Sequence, residues 1–494
     1  VSEYDVIVVG AGNAALAAAV SARENGAENV AVFEKAPEEM RGGNTHWSGG
    51  LLRIALNDVA ELDPLVPDAE EHLPGFRAGV QPYRADDFKE DLMRVTGGRT
   101  DRELSEILIS NSYDTVLWMK RHVQIPLEPA FSLGGIRKGD VIKWPKGAII
   151  RAKHEGIGLS KHWFLAAERE GVEIRYSCAA RSLLQDNSGR VIGVRVKDAQ
   201  GVSDIGARSV VLACGGFEAN QQWRAQYLGK PWDHAKVRGT PHNQGDGLKM
   251  ALDIGAMACG NWSSCHSTPI SAEWPDFAPR DLTDRSNRLS YPFGVMLNLD
   301  GHRFCDEGAD YQFFTYARYG RLILDQPDSK AWQIFDQKTV HLLEKRYETS
   351  DPITSDTLEG LVEQLDIRHR QQALRTLEAF NKAANKADTF DPTELDGLST
   401  KGLEPPKSNW ALKLDKPPFV AYSATGGITF TFGGLRINDK AQVIGTDWRP
   451  IEGLFCAGEM VGGLFHDNYP GGTGLVSGAV FGRIAGRNAA LGVN

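Results

Sequence analysis

Asp5-Val-Ile-Val-Val-Gly-Ala-Gly-Asn-Ala-Ala15, followed by Glu34 22 residues after Gly12, decides how this 494-residue chain is read. Val6 to Val9 read as a short strand of the kind that a parallel sheet buries on both faces. Gly10 and Gly12 let the chain turn sharply and let backbone N–H groups approach a pyrophosphate. Ala14 to Glu24 is rich in alanine and predicts a helix, with Gly26 as its stop. The N-terminus of such a helix directs partial positive charge at phosphates. Val30 to Phe33 predicts the next strand, and Glu34 stands where a carboxylate accepts ribose hydroxyls. Ala15 replaces the third glycine of the motif and is still small enough for close helix–strand packing. Strand, glycine turn, helix, strand and acid, in that order, predict an α/β dinucleotide-binding domain.

Composition narrows the class. The net charge of −9 argues against general nucleic-acid binding and against electrostatic docking to a membrane surface. No apolar run approaches the ~18 residues of a membrane helix, so no membrane insertion is expected. The chain enters its first strand at once, with no targeting peptide in view. Six cysteines are scattered, at 178, 214, 259, 265, 305 and 456, without a CxxC pair. That spacing predicts neither a zinc site nor an iron–sulfur cluster, and it fits a reducing, cytoplasmic compartment.

Further elements follow from patterning. Leu56 to Asp87 is rich in proline and acids and reads as a long loop. Thr100–Arg121, Gly158–Glu170, Gln312–Leu324, Arg368–Lys386 and Val476–Ala490 predict helices. Val172–Tyr176, Ser182–Val196 and Ser209–Ala213 predict strands, with Asp186-Asn-Ser-Gly189 as a hairpin turn. Both chain ends carry strand-and-glycine style, which predicts a nucleotide domain from residues 1–260 and 414–494. Residues 261–413 are then an inserted α+β capping domain that supplies substrate contacts.

The glycine motifs taken together resemble the flavoprotein family of fumarate reductase and succinate dehydrogenase. The resemblance runs over nearly the whole chain. It rests on the opening fingerprint, Gly42-Gly-Asn-Thr45 with Gly49-Gly50, Leu212-Ala-Cys-Gly-Gly-Phe217, Gln244-Gly-Asp-Gly247, Ala457-Gly-Glu459 and Gly471-Gly-Thr-Gly474. Within the family, Arg41-Gly-Gly-Asn44, Val95-Thr-Gly-Gly98, Asp306-Glu-Gly308 and Gly427-Ile-Thr-Phe-Thr431 are most similar to tricarballylate-dehydrogenase-like members. The resemblance implies a Rossmann-type, glutathione-reductase-like fold with FAD as cofactor. FAD is long, and glycine turns from several parts of a chain can supply backbone donors along it.

The implied FAD contacts are Gly10, Gly12, Asn13 and Ala14 at the first turn, with Glu34 and Lys35 after the second strand. Gly42, Gly43, Asn44, Thr45, Gly49 and Gly50 follow, then Gly215 and Asp246. Gly458 and Glu459 reach the ribityl side. Gly474, Leu475 and Val476 start a helix whose N–H groups face the flavin carbonyl. In the respiratory members a histidine bonds the flavin covalently. The matching position here is Asn44, which implies non-covalent FAD, with His46 as the remaining linkage candidate.

The implied reaction moves a hydride between flavin and a substrate carbon, and a proton on the opposite face. His266, in Ser264-Cys-His-Ser-Thr268, matches a family histidine. Arg303-Phe-Cys-Asp-Glu307 matches a segment after which the family places an arginine acid. Tyr316, Arg318, Tyr319 and Arg321 are the candidates there, Arg318 first and Tyr316 next. Two departures stand out. The family's His-His reads here as Thr429-Phe430, and a carboxylate-binding arginine reads as Tyr469, in Asn468-Tyr-Pro-Gly-Gly472. Tyr-Pro-Gly at that place resembles 3-ketosteroid dehydrogenases, in which a tyrosine hydroxyl polarises a ketone. Arg137, Lys143, Lys146 and Arg238 are candidate cations for a polycarboxylate.

The sequence thus predicts an FAD-dependent oxidoreductase acting on a CH–CH or C=C bond beside a carboxyl or carbonyl group. The partners are a small carboxylate or ketone and an external electron donor or acceptor. Tricarballylate is the first-choice substrate. A ketosteroid-dehydrogenase-like or ene-reductase activity on a ketone is the alternative. A flavin electron-carrier subunit of a larger complex is the alternative of another class.

Overall fold

The computed structural model describes residues 3–144, 146–385 and 389–493. Its first unit starts with β1 (Tyr4–Val9), α1 (Asn13–Glu24) and β2 (Val30–Phe33). The apolar run of β1 is buried on both faces because it sits inside a parallel sheet, between β2 and a later strand. The predicted helices at 100–121 and 158–170 are α2 (Arg102–Arg121) and α3 (Glu155–Arg169). Asp101 caps α2 by accepting from Leu104 N at 3.1 Å. The segment expected as one loop, 56–87, instead carries short helical turns at 59–62, 69–72 and 76–79. Leu62, Leu65 and Phe76 are buried there, so tertiary packing holds turns that local propensity does not announce.

β3 (Glu173–Arg175) extends the parallel sheet beyond β2. β4 (Ala179–Gln185) and β5 (Val191–Asp198) form the predicted hairpin, and Asp186 Oδ1 accepts from Ser188 N in its turn. β6 (Gly201–Leu212) does two jobs. Its first half pairs antiparallel with β5 and its second half pairs parallel with β1.

A second sheet is laid over this unit. It contains β7 (Lys236–Val237), β8 (Cys265–Ser271), β9 (Val295–Asn298), β10 (Lys330–Phe335), β11 (Ile353–Ser355) and β12 (Phe419–Thr431). α4 (Asp246–Asp253) lies between β7 and β8, and α5 (Gln312–Leu324) follows β9. A later helix, α6 (Arg370–Ala383), covers the predicted 368–386 segment, whose last residue lies outside the described residues. The sheet extends past the boundaries expected at 261 and 413. β12, 13 residues long, pairs with β7, β8, β10 and β11 and so draws residues 236–237 and 419–431 into the inserted layer.

α5 packs directly on β8. A Cβ on Gly320 would meet Ser267 Oγ at 2.3 Å, so only glycine allows that approach. The chain returns to the first sheet with β13 (Gln442–Ile444) and β14 (Pro450–Cys456), then ends in α7 (Thr473–Leu491). The parallel order is β14, β6, β1, β2, β3. α7 lies against α1 through Gly478, Gly482 and Gly486. Among the described residues no helix is long and apolar enough to cross a membrane.

Candidate active site

One continuous cleft runs from the carboxyl ends of β1 and β2 to the junction between the two sheets. Its empty space is about 1860 Å³, solvent mouth included. At one end the chain supplies glycine turns. Gly10 sits at φ 102°, and a Cβ there would meet Ala213 O at 2.5 Å, so the turn requires glycine. Gly12 and Gly43 are less crowded: the nearest atoms to an added Cβ lie at 3.5 and 3.9 Å, ordinary contact distance. Both backbones line the cleft beside the N-terminus of α1, a setting that suits a pyrophosphate.

Glu34 is buried on the cleft wall, and its Oε1 accepts from Ala36 N at 2.7 Å. Burial raises its pKa, with bonds from Ala36 and Ala11 N–H opposing the rise. Lys35 and Asp246 pair across the same end at 2.5 Å. Farther along, the N-terminal turn of α7 begins after Gly472, which leaves the Gly474 and Leu475 N–H groups among those without an intrahelical acceptor. These features fit the shape and donor needs of FAD.

Two implied FAD contacts spend their side chains on the protein. Asn13 Nδ2 donates to Leu475 O at 2.8 Å, its Oδ1 accepts from Trp163, and its N–H donates to Thr45 Oγ1 at 2.9 Å. Asn44 Nδ2 donates to Glu218 Oε1 at 2.7 Å and to Thr429 O at 2.6 Å, and its Oδ1 accepts from Thr240 N. They still line the cleft. Of the remaining expected FAD contacts, Ala14, Gly49, Gly50, Gly215, Gly458 and Glu459 also line it.

Gly42 and Val476 do not. A Cβ on Gly42 would meet Ser160 Oγ of α3 at 2.4 Å, so that glycine serves packing. Val476 is fully buried, at the position where intrahelical bonding of α7 begins. Sequence reading missed Glu218, which belongs to this layer. It is fully buried and also accepts from Asn243 Nδ2 at 2.5 Å. Burial, then Glu459 beside it, raises its pKa well above the carboxylate range.

At the other end the wall is aromatic. Phe430, Phe432, Phe465, Phe313 and Leu289 line it together with Tyr316 of α5 and Tyr469 of the last glycine loop. The Tyr316 and Tyr469 hydroxyls hydrogen-bond to each other. Both phenols are raised, chiefly by burial. At Tyr469 the hydrogen bond to Tyr316 and the Arg238 charge oppose that rise.

His266 stands behind this wall and does not line the cleft. Its ring stacks on Phe430 at 5.1 Å and lies edge-on to Tyr316 and Tyr469, each at 4.9 Å. Neither ring nitrogen has a hydrogen-bond partner among the described residues. Burial, then the Arg238 charge, lowers its pKa well below the usual value, so the ring is neutral.

Arg318 is corrected outright as the proton donor. It is exposed on α5, away from the cleft, while Tyr316, two residues earlier, points inward. Tyr319 donates to Asp306 O, and Arg321 is also absent from the lining. Of the four candidate cations only Arg238 lines the cleft; Arg137 is exposed, and Lys146 lies 3.7 Å from Asp87. Arg346 is a further cation on the wall, held by Asp284 and, at 3.1 Å, by Glu344.

The family model described as FAD binding domain matches residues 5–476. A probable fumarate reductase of Shewanella frigidimarina is 30% identical over 98% of this chain and 74% of its own length. A 3-oxosteroid 1-dehydrogenase of Mycolicibacterium smegmatis is 25% identical over 98% of this chain and 96% of its own. The crystal structure of a 3-ketosteroid delta1-dehydrogenase from Sterolibacterium denitrificans superposes with a TM-score of 0.75 at 22% identity, covering 99% of both chains, a likeness of fold.

Proposed function

This chain belongs to the FAD binding domain family, and on that premise we propose that it oxidises or reduces a carbon–carbon bond lying beside a ketone. The coarser part stands by itself: the protein is an FAD-dependent oxidoreductase of CH–CH groups. The ketone is carried by one observation, the hydrogen-bonded Tyr316–Tyr469 pair set in an aromatic wall.

Bound FAD supplies the exchange of hydride. The protein's part is to hold the carbonyl and manage the proton. Tyr469, on the last glycine loop, donates to the carbonyl oxygen and so acidifies the neighbouring C–H. Tyr316 exchanges the proton at that carbon, and its bond to Tyr469 keeps both hydroxyls aimed at one spot. Phe430, Phe432 and Phe465 keep water out, which strengthens both hydrogen bonds. The tricarballylate reading fares less well. Three carboxylates need several free cations, and Arg346 is already neutralised by Asp284 and Glu344.

The residues that support the cofactor reading are the cleft-lining backbones of Gly12 and Gly43, the buried Glu34 and the first turn of α7. Asn44 at the linkage position is an amide with all its bonds made, and His46 turns to Arg280 O at 3.2 Å, which supports non-covalent FAD.

The test is anaerobic visible spectroscopy of the flavin-loaded protein. Saturated cyclic ketones should bleach the oxidised flavin, or unsaturated ketones should restore the band of the reduced one. Bleaching by tricarballylate with no response to ketones overturns the reading.

A further inference from the structure

Arg238 is the residue of the cleft that the proton chemistry leaves unused. It follows β7 and is 7% exposed, with that small exposure opening on the cleft. Nε donates to Thr429 Oγ1 at 3.0 Å and Nη1 donates to Trp47 O at 3.1 Å. Nη2 has no protein partner among the described residues, and none of their carboxylates lies within salt-bridge distance. Asp284 is the carboxylate whose charge reaches it most strongly, and Asp284 is bonded to Arg346.

A buried guanidinium without a counter-ion is costly, and burial accordingly lowers the Arg238 pKa. The two bonds it makes are to neutral oxygens. They fix the plane of the guanidinium and leave one edge toward the cleft. The Arg238 charge also reaches both Tyr316 and Tyr469, so that edge and the phenols serve one ligand-sized space.

We propose that Arg238 anchors a carboxylate of the substrate, so that the substrate class is an oxo acid rather than a neutral ketone. This rests on the ketone reading above. It adds a second contact point: the oxo group meets the Tyr316–Tyr469 pair and the carboxylate meets Arg238. The clamp comes from the start of the inserted sheet. The position before the last glycine loop, where the family resemblance implies a carboxylate-binding arginine, holds Tyr469 instead. A neutral ketone would leave the guanidinium edge unpaired in a water-poor site and would bind less well for that reason alone.

The test is titration of the flavin-loaded protein, followed by perturbation of the flavin absorbance, with benzoylpropionate, its methyl ester and phenylbutyrate. The wild type should bind benzoylpropionate about thirtyfold more tightly than the ester. Arg238→Gln should abolish that preference while keeping its full complement of FAD, and Arg238→Lys should restore part of it. Equal affinity for acid and ester in the wild type, or no response to the acid, overturns the proposal. So does an unchanged acid-to-ester ratio in Arg238→Gln, or loss of FAD from that variant, which would assign the arginine to the cofactor. Phenylbutyrate separates the two readings. If it binds as tightly as benzoylpropionate and both depend on Arg238, the carboxylate anchor stands and the ketone contact fails.

Discussion

The hydroxyls of Tyr316 and Tyr469 bond to each other although the residues are 153 positions apart. One is on α5 of the inserted layer, the other on the loop that leads into α7. The bond therefore exists only when the two sheets are closed on each other. Replacing either tyrosine with phenylalanine should lower kcat by about 10²- to 10⁴-fold with FAD still bound. The double variant should be little worse than the poorer single one, because each phenol acts through the other. Steady-state kinetics with a bleaching ketone checks this, and fully multiplicative losses would show two independent roles.

Arg318→Ala should leave turnover and FAD content as they are. Its side chain is exposed on the far side of α5 from the cleft. Surface substitutions away from packed features shift stability by no more than about 0.5 kcal/mol, so no indirect loss is expected either. Turnover and thermal unfolding of the variant check both points.

The contrast between Tyr316 and Arg318 shows what the sequence could and could not say. The helix at 312–324 is legible to the residue. Its buried face is written in the spacing too: Phe313, Tyr316, Ala317, Gly320 and Leu324 recur at three and four residues, and Arg318 falls off that stripe. The opening strand–turn–helix and Glu34 are readable because each glycine and the acid answer a local need. The extent of the inserted layer is not readable, because β12 becomes its centre only through four partners scattered over the chain. Glu218 gives no signal at all. It is one acid after a glycine turn, and its meaning comes from Glu459, Asn44 and Asn243, which only the fold brings to it.

Glu218 predicts a pH dependence whose sign can be worked out. Its folded pKa is raised above the unfolded value, so the folded state binds the proton more tightly. Its contribution is complete below the unfolded pKa and is lost as pH rises through the folded one. Glu459 is the carboxyl beside it, Arg224 and Cys265 are the other ionisable groups within electrostatic reach, and Arg224 is itself pushed down by burial. Once the pH has risen through that folded pKa, two carboxylates share a site with no bonded cation, and the flavin-loaded protein should lose stability and release FAD. Glu218→Gln keeps the bonding atoms and removes the charge. It should flatten that alkaline limb in thermal unfolding followed by flavin fluorescence; an unchanged limb would place the titration elsewhere.

The last prediction concerns the two helices that frame the cofactor end. α7 lies on α1 so closely that a Cβ on Gly486 would meet Ala18 O at 2.0 Å, and one on Gly482 would meet Ala14 O at 2.4 Å. In an isolated helix, replacing glycine with alanine gains roughly 0.5–1 kcal/mol. Here the added methyl meets backbone, which cannot rotate away, and overpacking costs about 1–3 kcal/mol. The clash therefore outweighs the gain in helix propensity, and Gly486→Ala should destabilise. The effect should reach the cofactor as well. α1 carries the Gly12–Asn13 turn at its N-terminus, and Asn13 Nδ2 holds that turn to Leu475 O of α7. Forcing the helices apart pulls on the two N-termini that face the same cleft. In a thermal ramp, Gly486→Ala should release flavin at a lower temperature than the wild type, ahead of or together with unfolding. Release at the wild-type temperature would mean that the helix contact and the cofactor end are mechanically separate.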